Sequence, residues 1–232
     1  ESLLSFFFLF VLLLSLKILE EPKIEYFIFS GIVLGLALGT KISALIFGCP
    51  VFLVFLIQLV KIFKKKNKVN NIGLLFSKNL VLLVFLILLV FLSCPYLFLA
   101  FKESRGTLLY EISVANGSSS VFYTRQFLET TPVLFQLEKI FPYALGWPIF
   151  ILGLIGFLLS LLSLLPLLSH KKSPIPNCFW LIIISFLVYF FSQAFLFTKW
   201  TRFAAPIFAF FPIFAVMALS YLRNLRYLSN LL

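Results

Sequence analysis

The stretch SKNLVLLVFLILLVFLSCPYLF, residues 77–98, is apolar almost throughout and carries one charge, Lys78, near its start. A continuous run of this length suits a helix that crosses a bilayer, for which about 20 apolar residues suffice; a membrane strand would alternate apolar and polar residues instead. Similar runs fill the rest of the chain. Of its 232 residues 62% are hydrophobic and 32 are Phe, with a mean hydropathy of +1.12. A soluble domain of this size could not hide so much apolar surface. The expected fold class is all-α, a multi-pass transmembrane helical bundle.

Working outward from 77–98, the apolar runs predict seven spans, at roughly 2–19, 26–40, 43–62, 77–98, 141–165, 178–198 and 203–222. The 26–40 segment is short, about 22 Å by helical rise, and is expected to turn at Gly39-Thr40-Lys41 into the next. Pro50, Pro95, Pro148, Pro206 and Pro212 lie within or at the ends of spans, where they kink helices. Gly31, Gly35 and Gly39 form two overlapping GxxxG steps, whose expected use is close helix packing. The chain thus divides into four spans over 1–98, a loop at 99–140 and three spans within 141–232.

Basic residues orient the bundle. KIFKKKNK (61–68), HKK (170–172) and RNLR (223–226) fall on one side if the spans alternate, with Lys17, Lys23 and Lys78. That side is expected to be cytoplasmic, with the basic loop at 61–71, and it holds 12 of the 19 basic residues. The net charge of +11 reflects this asymmetry and is no nucleic-acid footprint, since no soluble domain carries a basic stripe. The opposite side holds the 99–140 loop, where charge and apolar residues mix at helix-like spacing and Asn116-Gly117-Ser118-Ser119-Ser120 marks a turn. Short interfacial helices joined by a mobile loop are expected there.

The chain opens Glu-Ser-Leu-Leu and its one Met is Met217, so it is expected to be a piece of a longer protein, with no visible signal peptide. It contains no Asp, which leaves Glu for any carboxylate chemistry. Cys49, Cys94 and Cys178 lie in or beside apolar runs with no metal or disulfide spacing, and His170 sits in a basic loop.

Two cations stand where charge is expensive: Lys41 in GLALGTKISALIF (35–47) and Arg202 in FLFTKWTRFAAPIFAFFP (195–212). A membrane chain keeps such a charge by giving it an anionic ligand or a carboxylate. In the alternating topology Glu1, Lys41, Tyr123, Arg125, Lys199 and Arg202 share the outer face. Arg grips phosphate oxygens through paired hydrogen bonds and Lys acts as a point charge, so the group suits a lipid phosphate. A carboxylate at the same depth could hold a divalent ion or take a proton. The plainer alternatives stay open: a snorkelling Lys41, a Trp200–Arg202 interface anchor, a solvated Arg125 and an ordinary interface Lys199.

Three stretches together resemble one family. GIVLGLALGTKISALIF (31–47) is similar to the G-L-A-x-x-T-K-Y/F-S/T-A segment of membrane glycosyltransferases related to protein O-mannosyltransferases and to the aminoarabinose transferase of lipid A. This is glycosyltransferase family 39 with its bacterial relatives, of the GT-C fold. FYTRQFLETTPVLFQLEKIFPYALGWPIFILGLIGF (122–157) resembles their outer-loop stretch, with its T-x-Q, T-x-P and aromatic-Q-L steps. TKWTRFAAPIFAFFP (198–212) resembles K-F/W-x-R-Y/F followed by spaced prolines, and ESLLSFFFLFVLLLSL (1–16) resembles the span after their second acidic residue. Ile42 and Phe203 stand where the family favours Tyr, and Cys94-Pro95-Tyr96 runs on to Phe101-Lys102 without the usual acidic residue.

The resemblance implies a bacterial cell-membrane enzyme that passes a sugar from a polyprenyl-phosphate donor to an acceptor hydroxyl on protein, lipid or glycan, outside the cytoplasm and with inversion. A first acidic residue, expected upstream, would be the base. Glu1 would be the second acidic residue, catalytic or a ligand to Mg or Mn. Lys41, Arg202 and Lys199 would bind the donor phosphate, and Tyr123, Arg125 and Gln126 would lie in the substrate loop. On this expectation the piece alone is inactive. A transporter or flippase for an anionic lipid-linked substrate remains the alternative, although no inverted repeat is evident. A non-catalytic membrane scaffold is a third.

Overall fold

The computed structural model describes residues 1–64, 68–163 and 179–229, with side chains at 68–70 and 224–229 left aside. Lys65, Lys66, His170, Lys171, Lys172 and Cys178, and the Arg226 side chain, therefore lie outside the described residues. Every regular element among the described residues is helical. Among the described residues, three helical stretches are long and apolar enough to cross a membrane: Ser2–Glu20, Ile42–Phe63 and Asn71–Ser93. The pair Thr201–Phe208 and Phe210–Arg223, bent by 41°, makes a fourth if it counts as one span. Three shorter apolar helices, Ile24–Thr40, Trp147–Ser163 and Phe179–Ala194, accompany them.

The chain forms two compact units, Glu1–Gln126 and Phe127–Leu232. The first is built from α1 (Ser2–Glu20), α2 (Ile24–Thr40), a 3-10 turn (Ile42–Gly48), α3 (Cys49–Phe63) and α4 (Lys68–Ser93). Helix α2 packs on both α1 and α4, and α3 packs on α1 and α4. The glycine steps account for the α2–α4 seam. A Cβ at Gly31 would meet the Leu82 carbonyl, one at Gly35 would lie 2.7 Å from the Leu86 carbonyl, and one at Gly39 would meet Ser93 Oγ. Partners that rise together along both helices mean that α2 and α4 run parallel, with the single stretch Ile42–Phe63 returning between them. In hydrocarbon, helices gain little by hiding apolar surface from each other, so close van der Waals contact through small residues is what holds this pair.

The opposite face of α4 is bare. Leu80, Leu83, Val84, Ile87, Leu88, Phe91 and Leu92 are exposed along it. An apolar surface this continuous suits lipid and not water. Helix α4 stops at Ser93, ahead of Pro95 and a short α5 (Tyr96–Leu99), so the run read as one span over 77–98 breaks five residues before its expected end. Helix α6 (Phe101–Ala115) follows and exposes Phe101, Leu109, Tyr110 and Ile112 while burying Val114. Ser113 and Ser119 hydroxyls meet at 2.9 Å across the turn after it. A 3-10 turn at Phe122–Phe127 ends the segment.

The second unit contains a π-turn (Gln136–Ile140), α7 (Phe141–Leu145), α8 (Trp147–Ser163), α9 (Phe179–Ala194), α10 (Thr201–Phe208) and α11 (Phe210–Ser229). The span expected at 141–165 is interrupted. Gly146 adopts φ +77°, which suits a residue without Cβ, and separates α7 from α8. Pro212 has no N–H to bond the Phe208 carbonyl, which explains the bend between α10 and α11. Phe rings fill this core: Phe186 contacts Phe157, Phe190, Phe211 and Phe214 with centroids 5.2–5.9 Å apart. A second glycine seam, unmarked by any GxxxG step, joins α8 to α11. A Cβ at Gly153 would come within 3.0 Å of the Phe211 carbonyl, and one at Gly156 would run into the Phe214 carbonyl.

Replacing Gly35 by Leu forces α2 off α4. The detergent-solubilised protein is expected to lose roughly 1–3 kcal/mol or to misassemble, whereas Gly73→Leu, in a position open to added atoms, leaves the melting temperature within about a degree.

Candidate functional site

In the first unit, Lys41 ends α2 in an extended conformation, with φ −160°. The turn expected at Gly39-Thr40-Lys41 is present, and Thr40 Oγ1 donates to the Ala37 carbonyl at 2.7 Å to close it. Lys41 Nζ donates to Glu1 Oε1 at 3.0 Å, with side chains 33% and 29% exposed. Two of the candidate residues, Lys41 and Glu1, therefore meet in one ion pair. Phe8 stacks on Phe47 at 4.6 Å just beneath, fixing the start of α1 against the 3-10 turn that follows Lys41.

Tyr123, Arg125 and Gln126 lie in the 3-10 turn and are all exposed, with Gln126 Nε2 donating to the Tyr123 carbonyl at 3.1 Å. Thr124, between them, is buried and donates to the Val121 carbonyl at 2.9 Å. The turn thus projects its candidate side chains and is held by the one that projects least.

In the second unit, Lys199 and Arg202 behave oppositely. Arg202 is exposed, its guanidinium 5.6 Å from the Trp200 ring and 5.4 Å from the Phe203 ring. Two aromatic faces hold the cation without neutralising it. Lys199 is 5% exposed, and its Nζ donates to the Phe197 carbonyl at 3.2 Å. Burial pushes its pKa below the ordinary lysine range. It shares a cavity of about 10 Å³, room for one water, with Gln136, Gln193 and Thr198. Tyr189 Oη donates to the Phe203 carbonyl at 3.0 Å, and Trp200 meets Phe127 edge to face at 4.9 Å, so both ends of the segment are pinned.

Gln136 is the residue that reasoning from sequence did not single out. It is 3% exposed, and its Oε1 has no hydrogen-bond partner among the described residues. Its π-turn has a local cause: Pro142 cannot donate to Glu138, so the ladder widens ahead of it. The available signal was a glutamine inside the apolar stretch VLFQL. No group of three or more His, Cys, Asp or Glu stands together among the described residues. Comparison with family models, curated proteins and solved structures returns no match.

Two measurements check this geometry. A double-mutant cycle on Glu1→Gln and Lys41→Met is expected to give a coupling of about 1 kcal/mol, near the top of the range for partly exposed pairs; a coupling of zero removes the pair. For Lys199, the fold disfavours the charged form. Its penalty is full below the depressed folded pKa and is relieved as pH rises from there toward about 10.4, the unfolded value. Thermal stability should therefore climb through that alkaline window, and Lys199→Met should flatten the climb and raise the melting temperature at neutral pH.

Proposed function

We propose that this chain belongs to an integral-membrane glycosyltransferase that uses a polyprenyl-phosphate-linked sugar on the extracytoplasmic side, with seven spans in a GT-C-type bundle. The observation that carries this reading is the Glu1–Lys41 pair, a carboxylate and an ammonium side by side where an apolar helix ends. An incoming lipid phosphate competes with Glu1 for Lys41. The exchange leaves the ammonium on the phosphate and frees the carboxylate for a divalent ion or for the donor's hydroxyls. Arg202, exposed on Trp200 and Phe203, offers the second grip.

In the reaction the bond from the anomeric carbon to the phosphate oxygen breaks as the acceptor oxygen attacks from the opposite face. The acceptor proton would pass to the first acidic residue that the family resemblance implies. Negative charge grows on the departing phosphate, and Lys41 and Arg202 lower the barrier by meeting it there. Lys199 would hold the TKWTR segment by its backbone contacts, and Tyr123, Arg125 and Gln126 would contact the acceptor or sugar from the loop. Support also comes from residues 136 and 199: two stretches that resemble the family, far apart in sequence, line one cavity in the second unit.

The test is glycosyl transfer by the whole protein in liposomes, with polyprenyl-phosphate-linked sugars as donors. Arg202→Ala is expected to lower turnover about 10²–10³-fold with membrane insertion intact. Undiminished turnover would exclude the phosphate role, and movement of the lipid-linked sugar across the bilayer without transfer would point to a flippase.

A further inference from the structure

The far end of the first unit contains a cleft that the proposed chemistry does not use. Helices α3 and α4 enclose a cavity of about 230 Å³ lined by Pro22, Gln58, Lys61, Asn71 and Lys78. Along the same two helices lies an apolar groove of about 600 Å³ lined by Phe52, Phe55, Phe76, Leu80 and Leu83. Helix α3 contributes to both: Phe52 and Phe55 line the groove, and Gln58 and Lys61, one and two turns further on, line the cavity. On α4, Asn71, Leu75 and Lys78 face the cavity in the same way, and Phe76, Leu80 and Leu83 the groove.

The cavity is built and not merely open. Gln58 is 9% exposed, its Nε2 donates to the Ile18 carbonyl at 2.8 Å, and its Oε1 has no hydrogen-bond partner among the described residues. Lys78 caps the α1–α2 turn through the Pro22 carbonyl, and Lys61 lies in the last turn of α3. Two ammonium groups and a buried amide thus stand at one end of a hydrocarbon-lined slot.

We propose that this cleft holds one anionic glycerophospholipid of the leaflet on the basic-loop side. Its phosphate lies at Lys61 and Lys78, a headgroup hydroxyl faces the Gln58 amide, and one acyl chain fills the groove. A free phosphate would use the cavity and leave the groove empty; a neutral lipid would use the groove and leave both lysines unneutralised. A lipid with an anionic, hydroxyl-bearing head satisfies both halves. The inference does not depend on the glycosyltransferase reading.

The test reconstitutes the chain in phosphatidylcholine vesicles doped with phosphatidylglycerol and counts retained lipids by native mass spectrometry after mild extraction. One tightly held phosphatidylglycerol is expected. Lys61→Gln should weaken its retention at least about fivefold. Leu83→Trp, which fills the groove without touching charge, should release it as well. Lys17→Gln removes the same charge from the same end but outside the cleft, and should have no effect. Equal retention of the two lipids, a Lys17→Gln loss matching that of Lys61→Gln, or full retention in Leu83→Trp would overturn the proposal.

Discussion

The close approach of α2 to α4 sets the position of everything at the charged rim of the first unit. Three glycines let one helix rest on the backbone of the other, with Gly31 against Leu82, Gly35 against Leu86 and Gly39 against Ser93. Side chains there would push α2 outward and carry Lys41 with it. Because the last glycine stands two residues before Lys41, the seam and the cation are one piece of design: the helix is packed to its end and then breaks, leaving the ammonium beside Glu1. Parallel packing follows from the same contacts, and it agrees with a chain in which one helical stretch, Ile42–Phe63, returns between α2 and α4.

The buried and half-buried cations contrast in what keeps them. Lys41 is paired with Glu1, and both side chains are partly exposed. Lys199 has a backbone carbonyl and a shifted pKa in place of a carboxylate, an arrangement that costs stability and therefore asks for a reason. Arg202, three residues on, is exposed and rests on rings. Within six residues the TKWTRF segment therefore holds one cation that the fold tolerates at a cost and one that it presents.

Composition and run length made the helical membrane class legible, because hydrocarbon thickness leaves few other uses for such runs. The turn at Gly39-Thr40-Lys41 and the α2 glycine seam were legible too, since both follow from local chemistry. The α8–α11 seam was not: Gly153 and Gly156 are three apart, and only the facing carbonyls of Phe211 and Phe214 give them meaning. The break at Gly146 hid inside an apolar run that hydropathy treats as continuous. For the site, the residue types were legible and their partners were not. Gln136 and Lys199 are separated by more than sixty positions, and no local pattern announces that they line one cavity.

The proposed function requires the Lys41 and Arg202 cations to face the same, extracytoplasmic side of the membrane. Replacing the three native cysteines and introducing Ile42→Cys, Thr201→Cys or Lys64→Cys one at a time allows that to be read directly, by labelling sealed right-side-out vesicles with a membrane-impermeant maleimide. Positions 42 and 201 are expected to label in intact vesicles and position 64 only after permeabilisation. Labelling of 42 and 201 from opposite sides would contradict a shared lipid-phosphate site.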